Sequence, residues 1–268
     1  MFVTSFGSSS EGSMYLLKDE ANNIFCFDIG INVFSTQYNK YLSDILNVEY
    51  LFISHEHIDH VRSLKKFLIY NPRAKIIINP KILEFFKHTN KPTYKDLYNL
   101  LRFRVILLEH GQTYEDTKIK IKVFEVNHNA TANNGYIFIN KLNNFKILFF
   151  TDCGSFNYSL VNKNDFNNLS LCMMEINHDD REEVNTKKER TQYSNIGHFS
   201  RFQALQFIKW LNDGLNNKKC KYLFLHTSTT NYLDIARNDE IFKLLKLNFL
   251  RLPATQLKRI KITWQKNN

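Results

Sequence analysis

At 268 residues with 43% hydrophobic content, the chain is long enough for one large α/β domain or two small ones, each with a buried core. No apolar run reaches membrane-spanning length and the opening MFVTSFGSSS lacks the basic-then-apolar design of a secretory leader, so a cytoplasmic protein without a membrane partner is expected. The formal net charge of +10 suits an anionic partner such as nucleic acid, although the abundance of Lys, Asn, Ile and Phe is also what A/T-biased coding produces.

The first half reads as strands over 2–6, 13–19 and 23–28, followed by a helix over 35–46. A short apolar strand over 49–53 then leads into the polar stretch SHEHIDH, residues 54–60, and helical spacing resumes over 61–70. A strand over 74–80 follows, and Pro80 can open a helix over 81–89. Another short helix is predicted at 95–103. The middle is β-rich, with strands over 118–126, 136–140 and 146–150, the last two joined by the turn NKLNN. Another strand covers 171–176, the clearest helix covers 200–215, a late strand covers 221–225 and a last helix covers 238–247. The basic tail 257–268 suits an edge strand or a loose end. There is no repeat, linker or heptad run, and strands in blocks with helices between and after them predict two sheets covered by outer helices. Cys26, Cys153, Cys172 and Cys220 form no C-x-x-C pair and read as reduced, buried thiols.

The chemistry concentrates at 54–60. His55 and His57 alternate in an extended segment, so they point to one side and can meet one ion. Asp59 and His60 lie across the turn and can meet a second. Imidazole with carboxylate suits zinc, manganese or iron better than calcium or magnesium. Clustered polar rings at a strand end give a core nothing, which argues against a packing role. Further along, Ser200 and Gln203 have capping-box spacing, so a helix is predicted just after Ser200, with first-turn N–H groups that favour a phosphate. His198 and Arg201 flank that point. His198, with His178, is expected to bind a scissile phosphate or protonate a leaving oxygen, with Glu175 and Asp179 orienting the rings. His88 and His110 read as ordinary surface or loop residues.

The stretch SHEHIDH resembles the H-x-H-x-D-H signature of the metallo-β-lactamase superfamily. The resemblance continues in family order through Asp28 in FCFDIG, His128 in KVFEVNHNA, Asp152 in KILFFTDCG and His226 in KYLFLHTSTTN. It implies one hydrolase domain over 1–268, an α/β fold of the αββα sandwich type with two mixed β-sheets flanked by helices. It also implies two divalent metal ions, zinc or manganese. His55, His57 and His128 would hold the first, Asp59, His60 and His226 the second, and Asp152 would bridge them, with Asp28 as a supporting aspartate. The implied reaction is hydrolysis by a metal-bridging hydroxide, with Asp59, His198 and His178 as the catalytic set.

Within the superfamily, VTSFGSSSEGSMYLL, EINHDD, GHFSRFQA and LHTSTTN resemble the YycJ (WalJ)-like branch, which is associated with nuclease-like phosphodiesterase activity chiefly on DNA. The opening differs at Ser9 or Ser10, where that branch has a second Gly, and TSTTN departs from its pattern after the strand-final histidine. The expected substrate-binding residues are Ser200, Arg201, Ser228 and Asn231, with the wider hydroxyl run Thr227–Thr230 able to grip phosphate oxygens. Lys187, Lys188 and Arg190 lie in a charged loop that can approach a nucleic-acid backbone. The alternative is a small-molecule hydrolase with the same site, acting on a cyclic nucleotide or a thioester. A non-catalytic binding protein is disfavoured by the complete ligand set, and lactamase action by Asp152 and the absence of an export signal.

Overall fold

A computed structural model describes residues 1–178, 197–226, 248–251 and 258–262 of the chain. It divides into two compact units, one formed from 1–109, 130–132 and 255–268, the other from 110–129 and 133–254.

The first unit carries a seven-stranded mixed sheet. Its strands are β1 (Phe2–Ser9), β2 (Gly12–Lys18), β3 (Ile24–Phe27), β4 (Tyr50–Phe52), β5 (Lys75–Ile78), β6 (Val105–Leu107) and, from the tail, β14 (Lys258–Lys261). The spatial order is β14-β1-β2-β3-β4-β5-β6. Pairing is antiparallel from β14 to β3 and parallel from β3 to β6. Parallel strands need crossovers, and helices supply them. These are α1 (Leu42–Leu46), α2 (Ile58–Val61), α3 (Leu64–Tyr70), α4 (Pro80–His88) and α5 (Leu97–Leu101). Pro80 takes the first turn of α4, where its missing N–H costs nothing, and the Asn79 side chain caps that helix by accepting from the Lys81 N–H at 3.0 Å. Leu51, Ile53, Leu64, Phe67, Ile76 and Ile82 are among the residues of the core between this sheet and its helices.

The second unit repeats the scheme. Its strands are β7 (Thr113–Glu115), β8 (Ile119–Glu125), β9 (Asn134–Asn140), β10 (Phe145–Phe150), β11 (Leu171–Glu175), β12 (Lys221–Leu225) and β13 (Asn248–Arg251). They lie in the order β13-β12-β11-β10-β9-β8-β7, antiparallel from β7 to β10 and parallel from β10 to β13. Helix α6 (Arg201–Asn212) buries Ala204, Phe207, Ile208 and Leu211, a stripe at helical spacing. Phe207 meets the rings of Phe150 at 5.1 Å and Phe156 at 4.6 Å. The predicted capping box is present: Gln203 N–H donates to Ser200 Oγ at 3.3 Å, and Ser200 N–H donates to Gln203 Oε1 at 2.9 Å. Ser200→Ala is therefore expected to destabilise the protein by about 1 kcal/mol, and Ser200→Gly by only a few tenths. Urea unfolding of the two variants beside wild type checks this ranking.

Some local expectations change. The predicted helix over 35–46 is a 3-10 segment, Thr36–Tyr41, followed by the single-turn α1. The helix after the histidine motif begins earlier than predicted, at Ile58, and breaks at Arg62–Ser63, because the Ser63 N–H turns away to the Ile29 carbonyl at 3.0 Å. The tail forms an edge strand over Lys258–Lys261. The predicted helix 238–247 lies outside the described residues. All four cysteines are buried and free. No helix among the described residues is long and apolar enough to cross a membrane.

Candidate metal centre

Each unit gathers titratable side chains at one end of its parallel strands. Neighbouring parallel strands end side by side, so residues just past their C-termini are brought together. In the first unit β3 leads to Asp28, and β4 leads through Ser54 to His55 and His57. In the second, β10 leads to Asp152, β11 ends on Glu175 and β12 leads to His226. Asp28, Asp152 and His226 all take left-handed backbone, with φ of 55°, 51° and 50°. That conformation costs an L-residue roughly 1–2 kcal/mol, a strain that concentrates here at strand ends carrying function.

In the first unit Asp28 organises the cluster while fully buried. Its Oδ1 accepts the Ser54 N–H at 2.8 Å. Its Oδ2 accepts the Ser54 hydroxyl at 2.8 Å and lies 2.8 Å from His60 Nδ1. Ser54 Oγ also lies 3.0 Å from His55 Nδ1. The rings of His55 and His57 are 4.5 Å apart, those of His55 and His60 4.2 Å. Asp59 stands in the first turn of α2, with Oδ2 3.5 Å from His60 Nε2.

In the second unit His128 Nδ1 donates to the Gly197 carbonyl at 2.9 Å, and its Nε2 stands 3.6 Å from Asp152 Oδ2. His226 Nε2 stands 3.4 Å from Asp152 Oδ1. Asp152 is steadied by the Thr151 hydroxyl at 2.8 Å, and its carbonyl accepts from Asn133 Nδ2 at 2.7 Å. Glu175, fully buried, ties the rest together. Its Oε1 is 2.8 Å from His198 Nδ1 and 3.0 Å from His226 Nδ1, while Oε2 accepts the N–H groups of Cys153 at 2.6 Å and Phe199 at 3.2 Å. Burial alone would raise the Glu175 carboxyl, but the charges and hydrogen bonds of His198 and His226 outweigh it and hold the group well below the usual carboxylate range. Burial pushes His198 down, yet the Glu175 charge and hydrogen bond, with Asp152 behind them, leave it above the ordinary histidine value. Burial raises the Cys153 thiol, reinforced by the charges of Glu175 and Asp152.

The donor set fits divalent metal. His60, His128 and His226 each anchor Nδ1 on an oxygen at 2.8–3.0 Å and present Nε2 to a carboxylate at 3.4–3.6 Å. An outer hydrogen bond that fixes tautomer and ring orientation is what ligating histidines require. Asp152, Glu175, His198 and His226 offer ligand atoms within 4.8 Å of one another.

Glu175 and Asn177 do more than the sequence suggested. Asn177 Nδ2 donates to the His226 carbonyl at 2.7 Å. His178 is buried, with Nε2 3.2 Å from the His198 carbonyl, so it braces the segment that carries His198. The expected phosphate-binding N–H groups of α6 are already engaged in part: Arg201 N–H donates to the His178 carbonyl at 2.9 Å, and Gln203 N–H to Ser200. His88 is exposed beside Glu84, and His110 lies 3.1 Å from Asn134 Oδ1, both away from the clusters as expected. Asp179, Lys187, Lys188, Arg190, Thr227, Ser228, Thr229, Thr230 and Asn231 lie outside the described residues.

Strand-end histidines and carboxylates of this kind define a metal-binding α/β hydrolase. The chain belongs to the beta-lactamase superfamily: residues 26–221 match the beta-lactamase superfamily domain. No curated protein matches its sequence significantly. Among solved structures it is similar to the metallo-beta-lactamase fold protein YhfI from Bacillus subtilis, with TM-score 0.68, 15% identity and coverage of 96% of this chain and 98% of that one. It is similar to the short form of human tRNase Z, with TM-score 0.64, 17% identity and coverage of 98% and 100%. It is also similar to a diphosphatase of the PhnP family, with TM-score 0.59, 13% identity and coverage of 98% and 99%. The fold is the metallo-β-lactamase fold, with two mixed sheets and flanking helices.

Proposed function

We propose that the protein is a dinuclear metal-dependent phosphodiesterase of the YycJ-like branch, cytoplasmic and acting on nucleic acid, DNA in preference to RNA. His55, His57 and His128 would hold one ion and Asp59, His60 and His226 the other, with Asp152 serving both. Bound divalent ions, zinc or manganese, lower the pKa of a water towards neutrality and neutralise charge on phosphoryl oxygens. The protein's own groups do the rest. Asp28 and Ser54 fix the rings of His60 and His55, and Glu175 fixes that of His226. His198 anchors Nδ1 on Glu175, which leaves Nε2 to hand a proton to the leaving oxygen. Arg201, at the start of α6, offers a guanidinium to the phosphate, and Ser200, although its oxygen accepts in the cap, keeps a hydroxyl proton to donate.

The observation that carries this proposal is the Glu175 carboxylate, which holds a metal-ligand histidine and an acid histidine at once. Likeness to tRNase Z supports a polynucleotide substrate. Likeness to a diphosphatase supports a second possibility, a small phosphodiester such as a cyclic nucleotide. Manganese-loaded protein incubated with end-labelled double-stranded DNA, with RNA and cyclic nucleotides in parallel, separates them. Cleavage of DNA that stops on chelation and returns with manganese is expected. Turnover of cyclic nucleotide alone would move the assignment to the small substrate.

A further inference from the structure

Glu56 sits between two proposed ligands, His55 and His57, and its side chain points to a task of its own. It is buried, with 4% exposure. Its Oε1 accepts twice from one residue, the Thr131 N–H at 2.7 Å and the Thr131 hydroxyl at 2.9 Å. Its Oε2 is also buried and meets no hydrogen-bond donor among the described residues. A carboxylate taken from water and half satisfied carries a desolvation cost that an apolar residue of similar shape avoids. A compensating role is therefore expected.

The chain around Thr131 supplies that role. His128 lies three residues before it and Asn133 two after. Asn133 Nδ2 is clipped onto the Asp152 carbonyl at 2.7 Å and the Thr151 carbonyl at 3.3 Å. Ala132 is buried in the core of the first unit. The short segment 128–133 thus starts on a proposed ligand, is clamped by Glu56 at its middle and ends on the backbone of a second proposed ligand. Fixing Thr131 therefore anchors the chain three residues from His128.

Resting on the dinuclear centre proposed above, we infer that Glu56 is a positioning residue that holds the 128–133 segment through Thr131 and so helps to set where His128, a proposed ligand, stands. Its acceptor oxygen carries this role, and its charge does not. Zinc titration of the metal-stripped full chain against a competing chelator tests it, with thermal midpoints recorded alongside. Glu56→Ala is expected to weaken binding of one of two ions by roughly tenfold or more, the range of outer-shell partners. Thr131→Val should lose part of that. The double variant should be no weaker than Glu56→Ala within roughly twofold, because the two act as one clamp. Glu56→Gln, which keeps an acceptor oxygen, should stay within roughly twofold of wild type. Unchanged zinc affinity in a folded Glu56→Ala, additive losses in the double variant, or a Glu56→Gln as weak as Glu56→Ala would each overturn the clamp. If Glu56→Ala fails to fold, Thr131→Val and Glu56→Gln decide: wild-type affinity in the first, or a tenfold loss in the second, overturns it. A wild-type chain that binds no zinc would bring down the dinuclear centre itself and the clamp with it. Two-ion binding unchanged across the variants would remove the clamp alone.

Discussion

Asp152→Asn is expected to remove metal-dependent hydrolysis while leaving the fold intact. Asp152 stands between two imidazoles, with Oδ2 facing His128 Nε2 at 3.6 Å and Oδ1 facing His226 Nε2 at 3.4 Å. The expected loss of activity exceeds roughly 100-fold, the upper end for an outer-shell partner, because the proposed role is direct and shared by both ions. The choice of replacement matters. Asp152 has φ of 51°, a region where alanine is strained and asparagine is tolerated. Asparagine also keeps an oxygen for the Thr151 hydroxyl. Asp152→Ala mixes strain with loss of charge, whereas Asp152→Asn isolates the charge, and Asp152→Gly relieves the backbone while deleting the side chain. Bound metal per chain should fall in all three, and the thermal midpoint should suffer most in the alanine variant. Metal content and turnover at the wild-type level in Asp152→Asn would exclude a bridging role for this carboxylate.

Much of the candidate centre is legible in the sequence, for a physical reason. The proposed ligands at 54–60 are contiguous because one strand and one turn carry them, and His128, Asp152 and His226 each follow an apolar strand of recognisable pattern. The capping box was legible for the same cause, since Ser200 and Gln203 are three residues apart. What escaped is tertiary. Glu175 meets His226 from 51 residues away, and Asp28 meets His60 from 32. Pattern along the chain reports neither pair. Strands β6 and β7 escaped for another reason: each has only three residues, too few for a strand period to show. The early start of α2 escaped because its boundary is set by hydrogen bonds to the 28–30 loop. Ile29 N–H donates to the His60 carbonyl at 2.8 Å, and Ser63 N–H returns to Ile29.

That loop leads to the second large expectation. Gly30→Ala should displace the turn that carries Asp59 and His60 and so disable the second proposed ion site. A Cβ on Gly30 would lie 1.5 Å from the Asp59 carbonyl oxygen, 2.2 Å from its carbon and 2.8 Å from the His60 nitrogen. All three are backbone atoms, so no side chain can rotate to make room. Either the loop or the α2 turn must move, breaking the Ile29–His60 hydrogen bond. Overpacking in a tight interior costs roughly 1–3 kcal/mol where side chains can adjust, and here they cannot, so the upper end or beyond is expected. Gly111→Ala is the control. Its φ is 88° but nothing lies within 4 Å of the added carbon, so only backbone strain of about 1–3 kcal/mol applies, remote from the ligands. The two variants can lose similar stability, yet only Gly30→Ala should lose metal. Zinc stoichiometry read against thermal midpoint separates the cases. A Gly30→Ala protein that binds two ions as tightly as wild type would mean that the Asp59–His60 turn is not held by this contact.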